Sequence, residues 1–276
     1  MTDLVIGSAF NLTWDQCKYW VNSINRSGFS GDKIICTFAG ADELLIKFKE
    51  NGFEVYDFRE LQTGEHICSS RFMAYTAVIQ QLKRNYRKII ATDVTDVIFQ
   101  HNPSDFFDKF SGYNLIASSE NIRYKDEPWG AQNMNLAFGQ MAFERVKNNI
   151  IYNAGVMAGD HDLMLDMFFT ITSMCSGKLQ HVPGGGAPDQ AAYNLTLSLL
   201  PFNNMTKFIG HDDGWACQVG TNADPTKDFS KVNITPLPKI EGDYVKTSKG
   251  IDYFIVHQYN RNPQWKTIIE NKYGDN

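Results

Sequence analysis

Apolar residues fall in short runs that alternate with amphipathic stretches through the first part of the chain. Leu4 to Phe10, Lys33 to Phe38 and Phe53 to Phe58 are runs of that kind. Their length and their Ile and Val content predict buried strands. Between the first two, Tyr19, Trp20, Val21 and Ile24 take helical spacing. Thr13-Trp14-Asp15-Gln16 fits a capping box at the start of that helix, which stops near Gly28. Glu43 to Asn51 predicts a second helix, closed by Gly52. Strand and helix in strict alternation predict a parallel sheet with right-handed crossovers.

A third helix is expected from Ser70 to Asn85, with Phe72, Tyr75, Ile79 and Leu82 facing the core. Arg71 would open it. A cation is unfavourable at a helix N-terminus, so Arg71 needs an anion nearby or a surface partner such as Glu65. Lys88 to Gln100 comes next: an apolar run, the acids Asp93 and Asp96, then a second apolar run. Carboxylates at the edge of a core need water, a partner or a cation. They stand where a strand ends, and in open α/β sheets ligands bind beyond the carboxyl ends of the strands. Three residues apart, they point to opposite faces of an extended chain, so a turn between them is required for convergence. Carboxylate oxygens suit Mg or Mn, ions that fill their shells with water and phosphates.

Further on, Asn114 to Ser119 predicts a strand, and Glu120 to Asn135, with Pro128, Trp129 and Gly130, predicts a covering loop. A helix near Leu136 to Asn148 and a strand from Ile150 to Met157 follow, the strand interrupted by Asn153 and Gly155. Glycine in a strand often marks close approach of a ligand or another backbone. Asp160 caps a helix to Ser176; Gln180 to Val182 reads as a short strand and Pro183 to Pro188 as a hinge. Asp189 opens the next helix, where an acid is also a good cap. From Pro201 short strands and turns suggest an antiparallel appendage, with a last strand from Asp252 to Tyr259 carrying His257 near its end.

Composition narrows the function. With 276 residues, 43% hydrophobic, the chain belongs with globular proteins and reads as one domain. A net charge of -5 without a Lys/Arg stripe argues against nucleic acid. Five scattered cysteines without a C-x-x-C favour reduced thiols. The N-terminus lacks the pattern of a signal peptide, and no apolar run is long enough to span a bilayer, so a cytoplasmic protein is expected.

These pieces resemble nucleotide-sugar glycosyltransferases of the GT-A fold, especially glycogenin-like and galactosyl- or xylosyltransferase-like families. Asp93-Val94-Thr95-Asp96 matches the acidic metal motif, Asn153-Ala154-Gly155-Val156 the segment lining the donor sugar, and Asp189-Gln190 with Asn194 the segment beside the reacting centre. His257 is similar to the C-terminal metal-binding histidine, followed by Asn262-Pro263-Gln264-Trp265, a degraded Lys-Pro-Trp. The resemblance implies a Rossmann-like α/β fold in one domain, with a mostly parallel central sheet flanked by helices and a small antiparallel C-terminal part; residues 1–110 would be the nucleotide-binding half and 111–276 the donor-sugar and acceptor half. It implies Mn2+ or Mg2+ held by Asp93, Asp96 and His257, and a UDP-sugar donor of xylose, glucose or galactose. Ser8, Ala9, Phe10 and Asn11 would hold uracil and ribose, Arg71 the base or diphosphate, and Asn153 and Gln190 the sugar hydroxyls. Asp93 is also a candidate for the ribose, and Asp189 is the catalytic candidate; the acceptor would be an oligosaccharide or glycoprotein.

Two departures stand out. The acid pair has two residues between its members rather than one, which leaves open which carboxylate touches the metal. The phosphate-binding Lys is replaced by Asn262, with Arg261 or Lys266 as substitutes. Without a leader or anchor, the chain is similar to soluble bacterial and virus-encoded members, including the cytosolic enzymes of large algal viruses, which act in the host cytoplasm. Two other classes compete. A sugar-nucleotide nucleotidyltransferase should carry a Gly-rich basic loop after the first strand, which Ser8-Ala9-Phe10-Asn11 is not. A catalytically silent carbohydrate-binding relative could keep the fold and lose turnover. His211-Asp212-Asp213 is a second possible metal site, and Trp129 and Trp265 could stack on sugars or pack in the core.

Overall fold

The computed structural model of the chain describes residues 1–59, 66–109, 114–178, 181, 183 and 185–274. Its first part alternates as expected: β1 (Leu4–Phe10), α1 (Trp14–Arg26), β2 (Asp32–Phe38), α2 (Asp42–Glu50), β3 (Glu54–Asp57), α3 (Ile67–Leu82) and β4 (Ile89–Thr92). Then come β5 (Val97–Phe99), α4 (Ser104–Phe107), β6 (Leu115–Arg123), α5 (Pro128–Phe138), α6 (Gln140–Val146), β7 (Ile150–Gly159), α7 (His161–Cys175) and α8 (Asp189–Leu197). The last part holds α9 (Phe202–Met205), β8 (Thr206–Ile209), β9 (Ala216–Gln218), α10 (Val219–Asn222), β10 (Lys239–Glu241), β11 (Tyr244–Lys246), β12 (Ile255–His257) and α11 (Pro263–Tyr273).

Seven strands form the central sheet in the order β3-β2-β1-β4-β7-β6-β8. β7 alone runs against its neighbours β4 and β6; the remaining pairs are parallel. Alternate residues of each inner strand feed separate cores, as a sheet covered on both faces requires. Leu4, Ile6, Ile89 and Ala91 pack with Phe72 and Tyr75 of α3 and Phe168 of α7. Val5 and Ile90 pack on the other face with Trp20 of α1 and Phe48 of α2. The Thr13 N–H donates to Gln16 Oε1 at 2.9 Å, the reciprocal half of the capping box.

Several boundaries differ from the sequence expectation. α3 begins at Ile67, so Arg71 lies one turn inside the helix and is buried; Glu65 falls outside the described residues. The stretch from Glu120 is no open loop: β6 continues to Arg123, and α5 starts at Pro128 with the Glu127 carboxylate accepting from the Trp129 N–H. Glu127 and Pro128 supply the cap and the N1 residue, a helix start that outweighs the loop-like composition. The helix expected from Leu136 to Asn148 is split at Gly139, whose φ of +85° ends α5. The hinge region is described only at Pro183 and from Gly185, and the short strand at Gln180 to Val182 only at His181.

The C-terminal part is less separate than expected. β8 runs parallel to β6 and extends the main sheet. β12 lies between β5, antiparallel, and β9, parallel, in a second sheet, while β10 and β11 form a hairpin. The last strand is short: Asp252 makes only an isolated bridge to Lys246, and Ile255 to His257 are the paired residues. Among the described residues no helix is long and apolar enough to cross a membrane.

Candidate active site

The turn between Asp93 and Asp96 is fixed from beneath. Trp20, fully buried, donates its indole N–H to Thr92 Oγ1 at 2.9 Å, which anchors the end of β4. A Cβ on Gly7 would stand 2.7 Å from Val94 Cγ2, so the glycine makes room for Val94 to fold over β1. The Asp93 N–H donates to the Gly155 carbonyl at 2.9 Å on one side. On the other, the chain leaves the main sheet: Val97 pairs with His257 across β5 and β12, and the Gln258 N–H donates to the Asp96 carbonyl at 2.7 Å. Change of sheet thus supplies the turn, and β12 delivers an imidazole to the two acids.

The ligand atoms of Asp93, Asp96 and His257 lie within 4.8 Å of one another. His257 Nε2 stands 3.4 Å from Asp93 Oδ2 and 3.6 Å from Asp96 Oδ1. The opposite ring nitrogen, Nδ1, faces Gln218 Oε1 at 2.7 Å. That acceptor keeps a proton on Nδ1 and leaves Nε2 as the ring atom that a cation between the carboxylates would take, the usual supporting arrangement of a metal-binding histidine. Gly155 is pressed against the group: a Cβ there would come 2.8 Å from Asp93 Oδ2 and 2.8 Å from His257 Nε2. Two acids and a neutral imidazole with oxygen-rich surroundings fit a divalent cation such as Mn2+ or Mg2+.

Electrostatics agree with that fit. Burial raises the pKa of Asp96; the neighbouring Asp93 charge adds to this, and His257 only partly offsets it. Burial acts the same way on Asp93, but Arg71 and His257 overcome it and hold that carboxyl well below the usual range. Burial would lower the His257 pKa, yet the two acids raise it. A cation would displace the imidazole proton and relieve the repulsion between the carboxylates.

Arg71 organises the second half of the site. Its guanidinium is paired with Asp93 and, at 3.1 Å, with Asp189 at the first turn of α8. Burial pushes the Asp189 carboxyl up to about 6, against the pull of Arg71. These groups line a cleft of about 690 Å³ together with Asn153, Gln190, Glu120, Trp129, Lys227 and Arg261.

The architecture has counterparts among solved structures. The structure is similar to the apo structure of WbbM, a bifunctional glycosyltransferase, at a TM-score of 0.57 with 12% identity, covering 98% of this chain and 51% of that one. It is also similar to the glycosyltransferase GlyE of Streptococcus pneumoniae TIGR4, at a TM-score of 0.53 with 13% identity, covering 93% and 54% respectively. The chain has a glycosyltransferase fold. It spans about half the length of each of these two structures. No family model and no curated protein matches the sequence. The sheet order and the short second sheet are consistent with the GT-A type of that fold.

Within the glycosyltransferase fold, the residues singled out from sequence fall into three groups. Asp93, Asp96, His257, Arg71, Asp189, Asn153 and Gln190 gather at one cleft, most of them lining it. Ser8, Ala9 and Phe10 end β1, where they pair with β2, and Asn11 follows; none of the four lines the same cavity. Phe10 is half exposed there and Asn11 takes a left-handed backbone, φ +50°. Lys266 stands apart: it is exposed on α11 with its Nζ 3.9 Å from Glu270, while Arg261, in the turn before that helix, lines the cleft. Trp129 lines the cleft and Trp265 packs in a core with Tyr259 and Ile269. His211 is buried against the Tyr253 hydroxyl at 3.0 Å, and Asp212 accepts from Ser248, so that triplet is structural. Two residues escaped the sequence reading. Gln218 is a lone amide in a short strand, and Glu120 is a lone acid within β6; neither carries a motif.

Proposed function

We propose that the chain transfers a sugar from a UDP-sugar to a hydroxyl of a glycan acceptor with the help of a divalent cation. The observation that carries this reading is the meeting of Asp93, Asp96 and His257 beyond the carboxyl end of β4, with Asp93 and His257 lining a cleft. Mn2+ or Mg2+ held there would supply Lewis-acid stabilisation of a diphosphate leaving group. The protein's own cations assist: Arg261 lies on the same cleft wall and takes the phosphate-binding part in place of Lys266. The end of β1, from Ser8 to Asn11, offers the place for uracil and ribose. Arg71, locked between two carboxylates, holds Asp93 and Asp189 in register rather than meeting the base.

Asp189, which lines the cleft, is the residue we assign to the reacting sugar carbon. In an inverting course it accepts the proton of the acceptor hydroxyl; in a retaining course it stabilises positive charge on the sugar from behind. Its carboxyl, raised to about 6, is mostly ionised at neutral pH, as both jobs require. The anomeric configuration of the product, read by NMR, assigns the course. Asp189→Asn should slow transfer far more than it weakens donor binding; equal loss of both makes Asp189 a binding or capping residue.

Release of UDP from UDP-glucose, UDP-galactose and UDP-xylose, with and without Mn2+, tests the proposal. Metal-dependent release that disappears in Asp96→Ala and His257→Ala, with the thermal melt retained, supports it. Full activity in either variant defeats the metal assignment. A nucleotidyltransferase is disfavoured by the end of β1, which passes through Asn11 into α1 without a Gly-rich basic loop. Donor binding without turnover, seen by calorimetry, would mark a silent relative.

A further inference from the structure

The two amides expected to grip the donor sugar are already engaged with the protein. Asn153 Oδ1 accepts the Gly155 N–H at 2.6 Å, and its Nδ2 donates to Glu120 Oε1 at 2.6 Å. Gln190 Nε2 donates to the same Glu120 oxygen at 3.1 Å. Both amides therefore converge on one carboxylate that lines the cleft. Glu120 Oε2 accepts no hydrogen bond among the described residues, and it is not one of the unpartnered atoms sealed from solvent. It is the acceptor left open to the cleft.

The fold goes to some length to place it. β6 and β7 lose register twice, between Ala117 and Ser119 and again between Ser119 and Arg123, and Glu120 lies in the second of these irregular stretches. Bulges re-aim side chains beside active sites. Asn121, the next residue, sits in the left-handed region at φ +64°, and its side chain bonds Asn222 Oδ1 at 2.8 Å and the Thr235 N–H at 2.8 Å. The Glu120 carbonyl accepts from the Thr221 hydroxyl at 2.8 Å. Strain and hydrogen bonds spent on a carboxylate with an open oxygen point to a ligand. Burial also lifts its carboxyl to about 7, against the hydrogen bond from Asn153.

We propose that Glu120 is a sugar-recognition residue: Oε2 accepts a hydroxyl of the donor sugar, while Asn153 and Gln190 act as positioning residues that hold the carboxylate. This rests on the UDP-sugar reading above. The donor sugar is chosen over the acceptor because Asn153 is two residues from Gly155, which touches the metal-binding group. A sugar attached to a diphosphate at that group meets this wall first.

Calorimetric titration in Mn2+ with UDP, UDP-glucose, UDP-galactose and UDP-xylose tests the assignment in Glu120→Gln and in Glu120→Asp. Gln keeps the shape and loses the charge; Asp keeps the charge and withdraws the oxygen by one methylene. At pH 8, where a carboxyl raised to about 7 is ionised, loss of a hydrogen bond to a charged group predicts donor binding weakened by about 10- to 100-fold. UDP itself should change by less than about twofold, because the sugar contact is absent. Asn153→Ala should reproduce the selective loss. If both Glu120 variants bind every donor as the wild type does, the role of Glu120 is overturned and the metal reading stands. If the wild type binds neither UDP nor any donor with Mn2+, both fall together.

Discussion

Gly155→Ala is the most informative single change. Gly155 sits in β7 with its carbonyl bonded to the Asp93 N–H at 2.9 Å, so its backbone cannot retreat without pulling that residue along. An added Cβ would lie 2.8 Å from Asp93 Oδ2 and 2.8 Å from His257 Nε2, about 0.6 Å inside ordinary contact at 3.4 Å. His257 cannot give way easily, because it is buried and tied to Gln218. Asp93 cannot either, since Arg71 grips its other oxygen. Metal sites tolerate ligand shifts of about 0.2 Å, so the displacement is several times what coordination allows. Overpacking of this kind costs about 1–3 kcal/mol in stability. The expected outcome is a folded protein with a lowered melt whose Mn2+ affinity falls by at least about 100-fold, at the upper end of what loss of a supporting residue does. Calorimetry with Mn2+ and a urea melt read both quantities. An Ala variant that binds Mn2+ like the wild type would show that Asp93 and His257 do not share an ion.

Other expectations follow from the same geometry. Gln218→Leu removes the acceptor of the His257 Nδ1 proton but also an unpartnered buried amide Nε2, so stability should change by less than about 1 kcal/mol while Mn2+ affinity falls about 10- to 100-fold. A large loss of stability with unchanged metal affinity would reverse that assignment. Arg71→Met leaves the Asp93 and Asp189 carboxylates without their shared partner and should cost about 3–5 kcal/mol in a urea melt, recovered in part by adding Asp189→Asn; a variant as stable as the wild type would refute the bridge. Glu120 gives a pH signature. Its folded pKa, about 7, lies above the ordinary 4.5, so the folded state holds the proton more tightly and stability is lost as pH rises from about 4.5 to 7. Glu120→Gln removes that penalty and should be more stable than the wild type at pH 8, by up to about 3 kcal/mol, with the difference vanishing below pH 4.5. Equal melts at pH 8 would mean that Glu120 is not strained by burial.

Much of this molecule can be read from local patterns. The alternating start, the capping box at Thr13 and the strand ending at Asp93 follow from short-range spacing. The convergence of Asp93, Asp96 and His257 is legible only from the order of motifs along the chain, because nothing local joins residue 96 to residue 257. What brings them together is β12 pairing with β5, a long-range event. Glu120 is invisible for a related reason: a bulge and a left-handed Asn121 decide where it points, and neither has a clear signature in Ser118-Ser119-Glu120-Asn121. Arg71 shows how a boundary error changes a reading. Placed at a helix start it looks for a ligand anion; one turn deeper it is buried between two acids of the protein. Lys266 and Arg261 differ by five residues, yet the helix start at Pro263 leaves one outside and the other in the cleft.

Titration of UDP into the protein with and without Mn2+ tests the central claim most directly. If Asp93, Asp96 and His257 hold the ion that grips a nucleoside diphosphate, UDP binds with Mn2+ present and is lost when the metal is withheld. It is lost likewise in a folded Asp96→Ala, His257→Ala double variant. Binding that is indifferent to Mn2+, or that survives the double variant, contradicts the account.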